Sequence, residues 1–300
     1  MTAHPQHVGA HRRGALGALV AQVLVGSSFV AARALHAFPI AAGQAARYAV
    51  AAVLMVALAR GRVMRPRGGE LLRVAALAAT GLVAFNWLII VGVHASDPAA
   101  VGVVVGCVPV LLALLGPLQR GVAPDLRLVA AGVVVALGAA LVQWTGAGVS
   151  LVGVTTALGA LVCEAAFTLL AVPLLPRLGP MGITQWSCML AVPQLVLLSL
   201  LTEGAGSWRV PTAHEALALG WMVFGVTAVA FMSWYGAVRA IGPERAGLFC
   251  GMLPVSAAVL GVAFGSVTVT GQRVAGALAV AAGITFGMLT MLRRAPGGSG

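Results

Sequence analysis

Pro98–Gly116 reads PAAVGVVVGCVPVLLALLG, and Pro243–Gly261, 145 residues further on, reads PERAGLFCGMLPVSAAVLG. The two stretches share Pro98/Pro243, Gly102/Gly247, Gly106/Gly251, Pro109/Pro254, Val110/Val255, Ala113/Ala258, Leu115/Leu260 and Gly116/Gly261. The same ungapped shift goes on to match Val129/Val274, Ala130/Ala275, Val135/Val280, Ala136/Ala281 and Gly138/Gly283. A slightly different shift sets Gly17-Ala18-Leu19-Val20 on Gly159-Ala160-Leu161-Val162 and brings Gln22 opposite Glu164. A chain rich in Ala, Val and Gly inflates such matches. The Gly-x-x-Pro-Val pair at 106–110 and 251–255 is the part that fixes the register, and it points to an internal repeat.

Outward from these stretches the chain is a succession of apolar runs. Spans are expected at about 14–34, 41–60, 71–93, 97–118, 126–145, 150–172, 182–202, 214–238, 243–267 and 271–292. Each is close to the ~20 residues that cross a bilayer as a helix. The chain is 60% hydrophobic and 8% charged, where a soluble domain carries roughly 25% charged residues. The connections are short and marked by Pro, Gly and polar residues, such as Ser96-Asp97-Pro98, Gly146-Ala147-Gly148 and Gly179-Pro180. The reading is an all-α membrane protein of about ten transmembrane helices. Its 39 glycines suit helices that pack in lipid through close backbone approach. Five spans per repeat is an odd number, so the second half enters the membrane with opposite orientation. That is the inverted repeat of many secondary transporters. The halves are placed at 14–145 and 149–292, flanked by segments 1–13 and 293–300.

The chain has eighteen basic residues, all arginine. If alternate connections, starting from the N-terminus, face the cytoplasm, fourteen arginines fall there: at 12–13, 60–73, 120–127, 177, 239–245 and 293–294. Arg33, Arg47, Arg209 and Arg273 fall elsewhere. This positive-inside bias places both termini in the cytoplasm and suits a multi-pass plasma-membrane protein. The formal net charge of +11 then reports topology and contact with the lipid bilayer, and no nucleic-acid partner is implied. The run from Gly14, preceded by His11-Arg12-Arg13, is too long for a signal h-region, so the first helix is expected to be retained.

These features resemble an EamA-type permease of the drug/metabolite transporter superfamily from about Gly14 to Leu292. The first-helix pattern Trp-Gly-x-x-Phe is represented by Val25-Gly26-Ser27-Ser28-Phe29, without its Trp, and Arg33 stands where a basic residue usually follows. Arg47 in Ala46-Arg47-Tyr48 takes the place of the Arg that enters the second helix, and Pro109-Val110 and Pro254-Val255 match the Pro-Val of the fourth and ninth helices. The acidic residue often found before that Pro is replaced by Val108 and Leu253, and the following Gly-Glu by Gly121-Val122 and Ser266-Val267. The resemblance implies carriage of small metabolites, often outward, without ATP hydrolysis.

Among individual residues Glu164 is the sharpest candidate, because an ionisable side chain in mid-span costs about 2.5–3.5 kcal/mol on insertion scales. Its helical neighbours Ala157, Ala160, Thr168 and Ala171 form a small, mildly polar stripe that points it to the bundle or a cavity. Gln22 lies on a stripe of Ala15, Ala18 and Gly26. Arg47 is placed to meet a substrate carboxylate or Glu164, or to reach back to the interface. Asn86, Trp87, Trp234 and Tyr235 are candidates for the wall of the same substrate site, and Gln185-Trp186 are weaker ones. Pro109 and Pro254 interrupt their helices as kinks or hinges. Asp97 is expected to cap the helix that follows it.

A carboxyl and a guanidinium in one cavity suit an amphoteric, amino-acid-like or drug-like substrate, and Glu164 is also a candidate for proton exchange. Cys107, Cys163, Cys188 and Cys250 all lie in apolar runs and read as packing residues. No metal-ligand spacing, cofactor motif or catalytic constellation is present, which disfavours the rival reading of a membrane-embedded enzyme; a non-transporting scaffold or sensor is disfavoured because no soluble signalling domain is evident in the sequence. The sequence carries no signal for oligomeric state.

Overall fold

A computed structural model describes residues 5–61, 64–144 and 150–292. Arg62, Arg293, Arg294, the Gly146-Ala147-Gly148 connection, the tail 293–300 and the first four residues of segment 1–13 lie outside the described residues. Ten helices among the described residues are long and apolar enough to cross a membrane: α1 (Gly9–Ala34), α2 (Ile40–Ala59), α3 (Gly69–Ala95), α4 (Pro98–Gln119), α5 (Leu126–Gln143), α6 (Leu151–Leu169), α7 (Leu175–Thr202), α8 (Ala213–Ile241), α9 (Pro243–Ala263) and α10 (Gly271–Thr290). The described residues contain no strand. The protein is an all-helical, multi-pass membrane protein.

Local chemistry sets the helix ends. Asp97 caps α4 by accepting from the Ala99 and Ala100 backbone N–H groups at 2.9 and 3.3 Å, as its sequence position suggested. Asp125 and Ser150 do the same for α5 and α6. Thr212 and Glu215 form a capping box at the start of α8. The sequence reading placed two helix starts too late: α1 was expected from 14, but the helix already runs from Pro5. Gly179-Pro180 looked like a loop, but α7 begins at Leu175 and bends sharply at Gly179, whose φ of 65° and ψ of 172° break the helix without ending the span.

The interruptions repeat between the halves. A π-helical turn spans Ala78–Ala84 in α3 and Met222–Val229 in α8, so the 145-residue shift carries the first onto the second. α4 breaks at Gly106-Cys107 before resuming at Val108, and α9 passes through a tight 3-10 stretch, Gly247–Gly251, before resuming at Met252. Pro109 and Pro254 both lie in the first turn of the resumed segment.

Packing repeats in the same way. α1 packs on α8 and α9, while its counterpart α6 packs on α3 and α4. α2 meets its own counterpart α7, and α5 meets α10. At the α5–α10 crossing a Cβ on Gly138 would lie 2.7 Å from the Gly276 carbonyl oxygen. The shifted counterpart of this contact is Gly283 against Ala131, where a Cβ would lie 3.1 Å from the carbonyl oxygen. These paired relations define two inverted five-helix halves. The larger apolar core joins α1, α2, α3, α6, α7 and α8 with parts of α4 and α9, and a smaller one joins α4, α5, α9 and α10.

Candidate functional site

The polar interior is assembled from both halves around α6. Ala157, Ala160, Thr168 and Ala171 are fully buried, as the stripe predicted. The exposed stripe of α6, Leu151, Thr155, Leu158 and Val162, lies on the other side. Glu164 belongs to the buried stripe, yet it retains partial exposure. Among the described residues no hydrogen bond or ion pair engages its carboxyl.

Aromatic and polar groups surround it. Glu164 is near enough to act electrostatically on Tyr48 of α2, Tyr235 of α8 and Cys250 of α9. These are both tyrosines of the chain, and both are buried. The Tyr235 hydroxyl has no hydrogen-bonding partner among the described residues. Its ring stands 5.3 Å from that of Phe167, which also meets Phe231 at 5.2 Å. One turn along α6 from Glu164, the Thr168 hydroxyl accepts from the Trp234 indole N–H at 3.1 Å. Gln22 donates to the Cys250 sulfur at 3.5 Å, and its Oε1 is buried without a partner. Gln22, Trp234 and Tyr235 therefore stand in one region with Glu164.

Arg47 sits at the edge of that region, 6% exposed. It donates from Nε to Thr227 Oγ1 at 2.7 Å and from Nη1 to Gln44 Oε1 at 3.2 Å, and it lies over the Tyr48 ring at 5.0 Å. Thr227 belongs to the α8 π-helical turn and itself donates to the Met222 carbonyl at 3.0 Å. Arg47 thus spans the two halves through Thr227; the ion pairs among the described residues do not join it to Glu164. Asn86 donates to Leu82 O at 2.8 Å and stands against the Tyr48 hydroxyl. Trp87 lines a cavity of about 10 Å³ with Gln44 and Asn86. Of the weaker candidates, Gln185 is buried with its Oε1 unpartnered, while Trp186 donates to the Met64 carbonyl at 3.2 Å.

Sequence reasoning passed over Tyr48, Thr168, Thr227 and Cys250 as site residues. Scarcity was the available signal for Tyr48: with two tyrosines in the chain, each in mid-span, both merited the reading given to Tyr235. The others are ordinary span residues whose partners come from the opposite half.

The two ends of the bundle differ. At the arginine-rich end Glu244, 5% exposed, receives Arg120 at 3.0 and 3.2 Å and Arg245 at 3.5 Å, which joins α4 to α9. Glu70 and Arg177 join α3 to α7 there. At the opposite end a crevice of about 300 Å³ runs between α1, α4, α5, α9 and α10, with Leu253 and Pro254 among its lining residues. Cys250 lies one helical turn from Leu253.

A bundle of ten membrane helices in two inverted halves, with polar side chains from both converging in the interior, is the architecture of a membrane transporter. The chain belongs to the EamA-like transporter family, whose sequence profile it matches twice, over residues 12–144 and 151–289. It is 24% identical to an uncharacterized transporter of Bacillus subtilis (strain 168), YetK, over 187 residues, or 60% of this chain. That alignment covers 57% of the relative's length, so the match spans a little over half of it. A solved crystal structure shares the fold with a TM-score of 0.80 at 18% identity, covering 94% of this chain and 99% of that one.

Proposed function

We propose that this transporter moves a small amphoteric metabolite, amino-acid-like or drug-like, out of the cell across the plasma membrane by alternating access. Both termini and the arginine-rich connections face the cytoplasm, as the positive-inside bias requires. The observation that carries the reading is Glu164: a carboxyl on the buried face of α6, without a protein partner among the described residues, surrounded by groups from both halves. Holding it there is costly unless something else benefits. Its role is to take the cationic group of the substrate, to exchange a proton, or both. Arg47 supplies the opposite charge on the other side of Tyr48, and Gln22, Asn86, Trp87, Trp234 and Tyr235 complete a wall that is aromatic and able to hydrogen-bond.

The breaks at Gly106 and Gly251, with Pro109 and Pro254 just beyond them, interrupt the two counterpart helices at equivalent places. In this proposal they are the hinges about which the halves, 14–145 and 149–292, rock. The Arg120–Glu244 and Arg177–Glu70 pairs hold the cytoplasmic end closed while the crevice at the other end stays open.

The test is untargeted quantification of metabolites in the medium of cells that make the protein and cells that do not. Export predicts at least one small amphoteric compound enriched outside the producing cells. Indistinguishable media would contradict export.

A further inference from the structure

We propose that the crevice at the arginine-poor end is a binding site for an amphipathic anion, a single carboxylate or phosphate head on an apolar body. The argument begins with the four arginines that escape the positive-inside bias. Arginine on the far side of a membrane runs against the insertion preference, so each such position calls for a reason. Arg209 has one: it is ion-paired with Glu215, donates to Ala37 O at 3.3 Å and lies over the Phe38 ring at 4.6 Å. Arg47 has one: it is buried against Thr227 and Gln44. The remaining two, Arg33 of α1 and Arg273 of α10, come from opposite halves of the chain, and both line the same crevice.

Among the described residues no carboxylate forms an ion pair with either of them. Glu203 is occupied by the Ala41 and Ala42 backbone N–H groups, at 2.7 and 3.0 Å, and by the Ser199 hydroxyl. Glu215 is held by Arg209 and Thr212. Asp97 adjoins the crevice and caps α4 through Oδ1. Arg273 donates to the Thr268 carbonyl at 2.6 Å, which fixes the side chain without cancelling its charge. Among the described residues neither Arg33 nor Arg273 forms an ion pair.

The rest of the crevice is apolar, with Phe29, Val30, Leu253 and Val267 on its walls, and the Gln143 amide adds a polar group beside the arginines. Gly102 leaves room for that amide, because a Cβ there would collide with Gln143 Oε1. At about 300 Å³ the space is at the lower end of the range of small-ligand pockets. Guanidinium groups are the side chains best suited to carboxylate and phosphate. Two of them over an apolar slot select an anion with a hydrophobic tail. A soluble amphipathic acid and an anionic lipid entering headgroup-first share this chemistry.

The inference concerns binding, so it stands or falls independently of whether Glu164 takes part in transport. The test uses the full chain in nanodiscs of neutral phosphatidylcholine, titrated with octanoate and with octanol. The parent is expected to bind octanoate at least tenfold more tightly than octanol. Arg33→Gln combined with Arg273→Gln is expected to lose that preference, and the two Arg→Lys replacements to retain most of it. Unliganded thermal midpoints show whether the variants are folded; if the double variant is not, the single Arg33→Gln and Arg33→Lys variants carry the same comparison. Repeating the titration with phosphatidylglycerol in the nanodiscs separates the sources. Suppressed octanoate binding identifies a lipid headgroup as the occupant, and unchanged binding identifies a soluble acid. A parent that fails to distinguish octanoate from octanol, or a folded double variant that binds octanoate like the parent, overturns the proposal.

Discussion

Adding one methyl group at Gly138 should loosen the seam between α5 and α10. A Cβ at that position would lie 2.7 Å from the Gly276 carbonyl oxygen, 2.8 Å from the Val280 nitrogen and 3.0 Å from the Ala279 Cβ. Carbon–oxygen contacts settle at about 3.3–3.6 Å, so the helices must separate by roughly 0.6 Å or more. Two of the three obstacles are backbone atoms, which cannot rotate away. Overpacking of this kind costs about 1–3 kcal/mol. The control is Gly236→Ala in α8, where a Cβ meets nothing within 4 Å and only the helix-propensity gain of about 1 kcal/mol applies. Both substitutions receive that gain, so the difference between them isolates the seam. Thermal unfolding of the two purified variants should differ by on the order of 5 °C, with Gly138→Ala the lower. Gly276→Ala should behave like Gly138→Ala, because its Cβ would lie 2.6 Å from the Gly138 carbonyl oxygen. A Gly138→Ala protein as stable as Gly236→Ala would refute the close crossing and, with it, the packing on which the repeat argument rests.

Thr168→Val should lower stability by about 1–3 kcal/mol, because it leaves the buried Trp234 N–H without its acceptor; an unchanged thermal midpoint would contradict the bond. Arg120→Met should destabilise by roughly 1–3 kcal/mol, below the figure for a fully buried pair because Arg120 is 41% exposed. Adding Glu244→Met should recover most of that loss, and a double variant no more stable than Arg120→Met would argue against the pair. Reporter fusions after Arg67 and after Arg294 should report cytoplasm and one after Arg209 the outside; a cytoplasmic reading at Arg209 would overturn the orientation.

The spans were legible in the sequence because hydropathy and length answer directly to the bilayer. Eight of the ten helices begin within two residues of the expected positions; α1 starts earlier, its helix reaching back to Pro5, and α7 begins early because Gly179 bends its span where a loop was expected. The repeat was legible because Pro109 and Pro254 are shared marks with a backbone cause. The paired π-helical turns in α3 and α8 were not legible: one extra residue in a helical turn leaves no mark in an Ala/Val/Gly background. Glu164 stood out because a mid-span carboxyl costs energy, and the small stripe beside it, Ala157, Ala160, Thr168 and Ala171, is buried. Its surroundings were hidden, since Tyr48, Thr227 and Cys250 reach the region from other helices and look like ordinary span residues where they stand. Arg33 and Arg273 were visible as exceptions to the charge bias, but only folding brings them, 240 residues apart in sequence, to one crevice.

Transport of an identified exported metabolite by the parent and by Glu164→Gln, at matched membrane abundance and across a pH series, tests the central claim most directly. The account predicts that the glutamine variant loses most of the transport, and that whatever remains no longer follows pH as the parent does. Equal rates with the same pH profile would make Glu164 a structural residue and would contradict the account.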